Sequence, residues 1–294
     1  MKLSVILVSY NNLELLRDCL CSIKKFNDLS KETEIIVVEQ STEENTYITA
    51  SSEFPNVRFI RNENVGFGRG NNRGAKEATG EYLLFLNTDT LLIEPVFRFA
   101  VNKFDGNAKL GAFGVQLLNG NRKKTLSFGV NQPFSKLSDV RTKVANLIGY
   151  FNPKKMYISG ADFFIRRSVF EAIGGFDNNI FMYFEDTILS NEVLKRGYIV
   201  NYYPQVKIVH LQGGSSTSKR VLSSDSFLKS YSYYCEKNGV SFSKIIQNQI
   251  RYLDIEKKIL GIASKRRASN VSKLSEDLKE YIERQKLIND QRDR

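Results

Sequence analysis

The stretch EYLLFLNTDT, residues 81 to 90, indicates the fold most directly. Glu81 to Leu86 is a nearly continuous apolar run, which is typical of a strand covered on both faces. Asn87, Thr88 and Asp89 follow at once, so they stand where this strand ends. A buried strand that ends in a carboxylate predicts a parallel sheet with a polar site beyond its carboxyl edge.

Strand-like and helix-like segments alternate along the first third of the chain. Further strands are predicted at Leu3 to Ser9, Glu34 to Val38 and Val57 to Ile60. A helical stripe of leucine and isoleucine follows the first strand, and a helix is predicted from Gly68 to Thr79, closed by Gly80. This alternation predicts an α/β, Rossmann-like fold with a mostly parallel central sheet flanked by helices.

Polar residues follow three of these strands, and parallel strands end at one edge of a sheet. They are Ser9, Tyr10 and Asn11 after the first strand, Glu39, Gln40 and Ser41 after the second, and Asn87, Thr88 and Asp89 after the fourth. We therefore expect the three groups to lie together.

The pattern becomes less regular after Pro95. We interpret residues 119 to 155 as loops, because they are rich in Asn, Lys, Gly and Ser. Later segments are predicted as a strand at Tyr157 to Arg166, a helix near Ser168 to Ile173, a helix at Glu185 to Lys195 and a strand at Val206 to His210. Residues beyond Lys219 are predicted to be helical, with Leu274, Leu278 and Ile282 on one stripe.

Composition narrows the class of protein. The 294 residues are 41% hydrophobic and 26% charged, which is typical of a folded globular protein. No apolar run reaches the roughly 20 residues that span a bilayer, and the 3 cysteines are interpreted as reduced thiols. We therefore expect a cytoplasmic location, with peripheral contact at the inner face of the cell membrane as a further hypothesis.

The net charge of +11 fits a nucleic acid, an anionic lipid or a phosphorylated small substrate as the partner. Residues 219 to 294 hold 17 Lys and Arg against 10 Asp and Glu, so much of the charge belongs to this segment. Its helices have three open roles: contact with an anionic bilayer, packing on the domain, or pairing of two subunits in a homodimer. Nucleic acid is not expected, because zinc and aromatic RNA-binding patterns are missing from the sequence.

Three segments carry residues suited to transfer chemistry. Asp89 can hold a divalent cation beside a developing negative charge, although an isolated Asn-x-Asp is more often a turn with a helix cap. The run from Asn64 to Gly74 has four glycines, and Arg69 or Arg73 could meet a phosphate; a flexible turn is an equal alternative. Asp186 is the candidate general base, although an acidic pair at a helix start more commonly complements the helix dipole, and that alternative is open for both Glu185 and Asp186.

His210 is the one histidine of the chain and ends a predicted strand. A lone histidine is more often structural than a ligand. The following Gly213, Gly214, Ser215 and Ser216 would nevertheless suit the approach of a phosphate.

Five segments together resemble one family: VILVSYNN (5 to 12), EIIVVEQS (34 to 41), NVGFGRGNNRGAKEATGEYLLFLNTDT (64 to 90), GGFDNNIFMYFEDTIL (174 to 189) and VHLQGGSS (209 to 216). They are similar to the family 2 inverting glycosyltransferases with the GT-A fold, most of all to the rhamnosyltransferase-like branch. The resemblance covers residues 1 to 216. It implies a GT-A domain at 1–218, with a donor half at about 1–118 and an acceptor half at about 119–218, and a basic helical extension at 219–294.

The resemblance also implies roles for individual residues. Asp186 would be the catalytic base, Asp89 and His210 would contact Mg²⁺ or Mn²⁺, and the acceptor region would include Asp177, Tyr183 and Glu185. The nucleotide sugar would be held by Ser9, Tyr10, Asn11, Glu39, Asn64, Gly66, Phe67, Gly68, Asn71, Asn87 and Thr88. Glu39 and Asn87 each stand where the family usually has Asp, and Ile188 stands where a further acidic residue is common.

The expected reaction moves L-rhamnose from dTDP-L-rhamnose to a glycan or polyprenyl-diphosphate-linked acceptor in polysaccharide synthesis. A UDP-sugar donor is the first alternative. A non-catalytic basic protein that binds membrane or nucleic acid is the second. A nucleotidyltransferase is disfavoured because no glycine follows the first strand, and the lack of Trp indicates a non-processive enzyme without a Gln-x-x-Arg-Trp motif.

Overall fold

The computed structural model describes residues 1–131, 136–211, 222, 224–263 and 265–292. The chain divides into two compact units, one of residues 1–133 and 137–213 and the other of residues 134–136 and 214–294. The predicted boundary at residues 218 and 219 lies outside the described residues, so it stays a prediction.

The first unit is built on a mixed sheet. Its strands are β1 (Leu3–Ser9), β2 (Thr33–Glu39), β3 (Arg58–Arg61), β4 (Tyr82–Leu86), β5 (Thr90–Leu92), β6 (Leu110–Leu118), β7 (Phe128–Val130), β8 (Met156–Ile158), β9 (Asp162–Arg166) and β10 (Ile199–His210). Its helices are α1 (Leu13–Phe26), α2 (Glu44–Glu53), α3 (Phe67–Ala75), α4 (Phe97–Asp105), α5 (Lys136–Ile148), α6 (Arg167–Ile173) and α7 (Glu185–Lys195). The large sheet has the order β3-β2-β1-β4-β9-β6-β10-β5, and β7 pairs with β8 separately.

The four strands predicted in the first third of the chain are confirmed. Strand β1 pairs in parallel with β2 and with β4, and β2 pairs in parallel with β3. Val5 and Leu7 are fully buried in one core cluster, and Ile6 lies in the cluster on the other face of the sheet. Because these strands run in one direction, their polar carboxyl ends meet at one edge, as predicted.

The sheet is parallel in four of its seven pairs of neighbouring strands in the described part of the chain. Strand β9 lies antiparallel between β4 and β6, and β5 lies antiparallel to β10. The predicted strand from Tyr157 to Arg166 is wrong as one element. It is divided into β8 and β9, which belong to different sheets.

Residues 119 to 155 are more ordered than predicted. They contain β7 and α5, so the interpretation of the whole region as loops is wrong. Helix α5 was not predicted because the composition of the whole region was interpreted as loops, and the buried face of this helix is made of small and polar residues, Ser138, Ala145 and Asn146. Asn146 is held by hydrogen bonds, since its Oδ1 accepts from the Ser127 amide at 2.7 Å.

Helices α1 and α3 cover the parallel half of the sheet. The predicted stripe of α1 is confirmed, with Leu16, Leu20 and Ile23 buried. Helix α3 ends at Ala75 and not at Thr79 as predicted. A Cβ at Gly74 would lie 2.6 Å from Ile6 Cγ2, so this glycine is explained by the close approach of the helix to the sheet.

The second unit contains α8 (Asp225–Lys237), α9 (Phe242–Ala263) and α10 (Lys265–Arg292). On α10, Leu274 and Leu278 are buried as predicted, together with Tyr281, and Ile282 is half-buried. Asp254 of α9 accepts a hydrogen bond from Ser275 Oγ at 2.7 Å and pairs with Lys279 at 3.0 Å, which joins α9 to α10. Among the described residues, no helix is long and apolar enough to cross a membrane.

Candidate active site

The ends of β1 and β4 are joined by side-chain hydrogen bonds. Ser9 Oγ donates to Asn12 Oδ1 at 3.1 Å, and Asn12 Nδ2 donates to Thr88 Oγ1 at 2.8 Å. Ser9 is fully buried and Thr88 nearly so, whereas Tyr10 is exposed. The predicted polar groups of these two strands therefore form one connected surface at the edge of the sheet.

Glu39 ends β2 with one of its carboxylate oxygens fixed and the other free. Oε1 accepts hydrogen bonds from the Ser41 amide at 2.8 Å and from the Ser41 hydroxyl. The Asn11 amide donates to Ser41 Oγ at 2.7 Å, and Asn11 takes the left-handed φ of 52°. Glu39 Oε2 is buried and has no hydrogen-bond partner in the described structure, so it can accept from a ligand.

Asp89 and His210 lie side by side, although 121 positions separate them in the sequence. His210 Nε2 is 3.2 Å from Asp89 Oδ1, and each side chain keeps 15% of its surface exposed. The cause is the antiparallel pairing of β5 with β10, which places Thr90 opposite His210. Asn87 Oδ1, in the same turn, is buried without a partner among the described residues.

The donor atoms near Asp89 fit a divalent cation that a ligand helps to hold. The described residues contain no group of three or more His, Cys, Asp or Glu side chains with metal-binding geometry. Asp89 and His210 are thus a pair of side chains, one carboxylate and one imidazole. Mg²⁺ and related cations are commonly held by one or two carboxylates and completed by water and substrate phosphates, which is the pattern that this pair allows.

The glycine-rich segment turns from β3 into α3 and lies against the segment that precedes α7. Gly66 has a φ of 95°, and Phe67 N–H donates to the Phe181 carbonyl at 2.9 Å. Asn64 Oδ1 accepts from the Gly66 amide at 3.3 Å. Gly68 packs on Phe176, because a Cβ there would lie 3.1 Å from Phe176 Cβ.

We expect Gly66→Ala to destabilise the first unit. A Cβ at Gly66 would lie 2.2 Å from the Phe181 carbonyl oxygen, and the residue also has a left-handed backbone. The substitution should cost about 1–3 kcal/mol of unfolding free energy. Urea unfolding measures this cost, and Gly120→Ala is the matched control, because its nearest neighbour would be 3.8 Å away. Equal unfolding midpoints for the two variants would contradict the close contact inferred between Gly66 and the Phe181 carbonyl.

Asp186 lies at the start of α7 with both carboxylate oxygens oriented. Oδ2 accepts from the Gly160 amide at 3.0 Å, and Oδ1 accepts from the Thr187 amide at 2.7 Å. Burial raises the pKa of Asp186 above its ordinary value, against the effect of these hydrogen bonds. A carboxylate with a raised pKa is a better proton acceptor near neutral pH, which suits a general base.

Glu185 is the second carboxylate at the start of α7, directly before Asp186. Burial, and then repulsion by Asp186, raise the pKa of Glu185. Its Oε2 is buried and unpartnered in the part of the chain that the structure describes. The two residues before it, Tyr183 and Phe184, both have left-handed backbones with φ of 73° and 70°. Such strain in bulky residues is typical of functional sites.

Gly160 and Ala161 connect Asp186 with the turn that holds Asp89. The Asn87 amide donates to the Ala161 carbonyl at 3.1 Å, and the Gly160 amide donates to Asp186. A Cβ at Gly160 would lie 3.5 Å from Asp186 Cβ and 3.6 Å from the Phe67 ring. The turn of Asp89, the N-terminus of α3 and the start of α7 therefore surround one short segment.

Other predicted residues have local partners. Arg73 pairs with Glu77 at 2.6 Å, and Arg69 Nε donates to the Asn178 carbonyl at 2.7 Å. Asn71 Nδ2 donates to the Phe67 carbonyl at 3.1 Å, while its Oδ1 is buried and unpartnered within the described ranges. Asp177 Oδ1 accepts from the Asn179 amide at 3.0 Å. Residues 213 to 216, predicted to suit a phosphate, lie outside the described residues.

Three residues of this edge, Asn12, Gly160 and Asp162, were not assigned a site role from the sequence. Asn12 and Gly160 orient predicted residues, and Ser41, predicted only as a member of the polar group after β2, orients Glu39. Asp162, fully buried opposite Leu86 in β9, accepts from the Val115 amide at 2.7 Å, and burial raises its pKa. A charged residue inside an otherwise apolar strand was the signal that could have identified it.

Comparison with known proteins places the chain in a family. The family model described as glycosyl transferase family 2 matches residues 4–174, which span almost all of β1 and every strand from β2 to β9. The chain therefore belongs to glycosyl transferase family 2.

Curated relatives match the chain at low identity or over a short stretch. The chain is 26% identical over 212 residues to the poly-beta-1,6-N-acetyl-D-glucosamine synthase of Staphylococcus aureus, a match that covers 69% of this chain and 48% of the relative. It is 37% identical over 60 residues to an N-acetylglucosaminyl-diphospho-decaprenol L-rhamnosyltransferase of Mycobacterium tuberculosis, which covers 20% of each. The chain spans about half the length of the synthase that it matches.

A solved structure has a similar fold. It is a mannosyltransferase from Pyrobaculum calidifontis in complex with GDP-Man and Mn²⁺, with a TM-score of 0.61 and 13% identity, covering 94% of this chain and 84% of that one. The α/β fold with a central sheet flanked by helices, predicted from the sequence as GT-A, is confirmed by this likeness.

Proposed function

We propose that the protein is an inverting glycosyltransferase that moves a sugar from a nucleotide diphosphate to an acceptor hydroxyl. The observation that carries the proposal is the arrangement at the sheet edge. The Asp89 and His210 pair, 3.2 Å apart, is linked through Asn87 and Ala161 to the segment that orients Asp186. Family membership supports the same reaction class.

Asp186 acts as the general base of a single displacement. It takes the proton of the acceptor hydroxyl while that oxygen attacks the anomeric carbon, and the nucleoside diphosphate leaves from the opposite face. The Gly160 and Thr187 amides hold the carboxylate in one orientation, and each oxygen keeps a further lone pair that can accept the proton.

Asp89 and His210 are the residues that would hold Mg²⁺ or Mn²⁺. A carboxylate suits both ions, and the unpartnered Asn87 Oδ1 offers one more oxygen in the same turn. When bound, the cation would stabilise negative charge on the leaving diphosphate. The structurally similar Pyrobaculum mannosyltransferase, which was solved in complex with Mn²⁺, supports a divalent cation in the reaction, whereas the choice of Asp89 and His210 rests on their geometry.

Glu39 and the ends of β1 and β2 bind the nucleoside. The free, buried Oε2 of Glu39 accepts a hydrogen bond from an N–H of the base, and Ser41 prevents the carboxylate from turning away. A thymine or uracil base presents such an N–H. Ser9, Tyr10 and Asn11 lie beside it, and Asn64 to Asn71 line the sugar side.

The donor is dTDP-L-rhamnose, and the acceptor is lipid-linked or a glycan in bacterial surface polysaccharide synthesis. The 60-residue match to an L-rhamnosyltransferase that acts on a diphospho-decaprenol acceptor supports this choice. The longer match to a poly-beta-1,6-N-acetyl-D-glucosamine synthase supports N-acetylglucosamine as the second candidate sugar, for which the expected donor is a UDP-sugar.

Incubation with single nucleotide sugars tests the proposal. We expect donor hydrolysis or transfer with dTDP-L-rhamnose in Mg²⁺ or Mn²⁺, and loss of at least tenfold of the rate after removal of the metal with EDTA. UDP-N-acetylglucosamine and GDP-mannose are the comparison donors. A rate that is unchanged in EDTA would contradict the metal assignment, and inactivity with every donor would contradict the reaction.

A further inference from the structure

Helix α5 exposes a continuous apolar face. Val140, Val144, Leu147 and Ile148 have exposed fractions of 56%, 50%, 67% and 69%. Their spacing of i, i+4, i+7 and i+8 places them on one stripe of a helix. Tyr150, at 56% exposed, lies two residues beyond the end of the helix. We refer to these five residues as the α5 apolar face.

The orientation of α5 is the reverse of that of an ordinary surface helix. Its buried residues, Ser138, Ala145 and Asn146, are small or polar, and they lie on the side opposite to the apolar face. Asn146 fixes this orientation, because it hydrogen-bonds to the Ser127 amide at 2.7 Å and to the Phe128 carbonyl at 2.9 Å. A surface helix normally turns its apolar stripe towards the core.

Exposed cations flank the α5 apolar face. At 100° per residue, Lys143 lies on one side of the stripe and Arg141 on the other, and both are exposed. Lys124 Nζ donates to the Leu147 carbonyl at 3.2 Å, which places the exposed run of residues 122 to 124 at the end of the helix. Residues 119 to 155 contain eight Lys and Arg residues and one acidic residue, Asp139.

We propose that the α5 apolar face docks the protein on an anionic lipid bilayer. An apolar stripe between rows of cations is the pattern of helices that lie in a membrane interface, with the apolar side among the acyl chains and the cations at the headgroups. Tyr150 suits the headgroup level. The cations select a negatively charged lipid surface over a protein partner of neutral charge. This docking does not depend on the transfer reaction.

Vesicle sedimentation of the full chain tests the proposal. The wild type should bind vesicles of phosphatidylglycerol and phosphatidylcholine and should bind pure phosphatidylcholine much more weakly. Leu147→Ser combined with Ile148→Ser should weaken binding to the anionic vesicles on the order of tenfold. Both side chains are exposed, so the thermal unfolding midpoint should stay within about 1–2 °C of the wild type.

A matched control separates α5 from the basic C-terminal helices. Ile255 and Ile259 of α9 are 58% and 65% exposed. Replacing both with Ser removes the same kind of apolar surface from the segment whose positive charge also suits an anionic bilayer. We expect this variant to bind the vesicles like the wild type.

A fluorescent reporter gives an independent measurement. The chain has no Trp, so Tyr150→Trp introduces one reporter at an exposed position. Its emission should shift to shorter wavelength with the anionic vesicles and be quenched by brominated lipid chains.

Three results would overturn the proposal. They are unchanged vesicle binding by the Leu147 and Ile148 double variant, equal binding of the wild type to neutral and anionic vesicles, and an α5-dependent dimer in light scattering together with no vesicle binding. In the last case, the occupant of this face is a second copy of the chain.

Discussion

Asp186→Asn is expected to reduce sugar transfer by 10²- to 10⁴-fold and to leave donor binding nearly unchanged, since removal of a general base typically costs a factor of this size. The Asn side chain keeps an oxygen that can accept from the Gly160 amide, so the start of α7 should stay folded. Single-turnover transfer measures the rate, and titration with the intact donor measures the binding.

Asp18→Asn is the control for this experiment. Asp18 lies on the exposed side of α1, so the same chemical change there should leave both rate and affinity as in the wild type. Transfer by Asp186→Asn at more than a tenth of the wild-type rate would refute the assignment of the base. A parallel loss of donor binding would indicate instead that the substitution disturbs the pocket.

The parallel half of the fold could be predicted because its strands are continuous apolar runs. Strand β6 was not predicted, because glycines interrupt its apolar run. It contains Gly111 and Gly114, which weaken a strand pattern but are required by packing, since a Cβ at Gly114 would lie 2.4 Å from Ile158 Cγ2. Such a requirement depends on residues far away in the sequence, and no local pattern reveals it.

The candidate site also has a part that could be predicted from the sequence and a part that could not. Ser9, Glu39 and Asp89 follow predictable strands, so their common edge could be inferred from the alternation of elements. The contact between Asp89 and His210 could not, because it depends on the antiparallel pairing of the three-residue β5 with β10. The hydrogen bond from the Gly160 amide to Asp186 depends likewise on the turn between β8 and β9, which were predicted as a single strand.

Helix α5 shows a different limit of the sequence patterns. A periodic apolar stripe is usually interpreted as the buried face of a helix, and here that interpretation would have placed the wrong side inwards. The buried face is chosen by Asn146, whose hydrogen bonds to the backbone around β7 replace apolar packing. The net positive charge of residues 119 to 155 is as large as that of the C-terminal segment. Its position beside an exposed apolar stripe could not be recognised while these residues were interpreted as loops.

Asp89→Ala is expected to lower transfer on the order of 10²-fold or more and to remove the metal dependence of donor binding. Asp89 is the carboxylate of the pair with His210, and its loss leaves only neutral donors, an imidazole and an amide oxygen, without the negative charge that attracts the cation. Titration of the donor with and without Mn²⁺ measures the effect. In the wild type Mn²⁺ should tighten binding, whereas in the variant the two titrations should coincide.

Asp18→Ala controls for the loss of one negative charge from the first unit, because its side chain is exposed on α1. This variant should keep the metal effect. Asp89 also bonds through its backbone, with its carbonyl accepting from the Leu211 amide at 2.9 Å, and alanine preserves that bond. The turn should therefore remain in place, so a retained Mn²⁺ effect in Asp89→Ala would mean that the cation is held elsewhere, and the role assigned to the pair with His210 would be wrong.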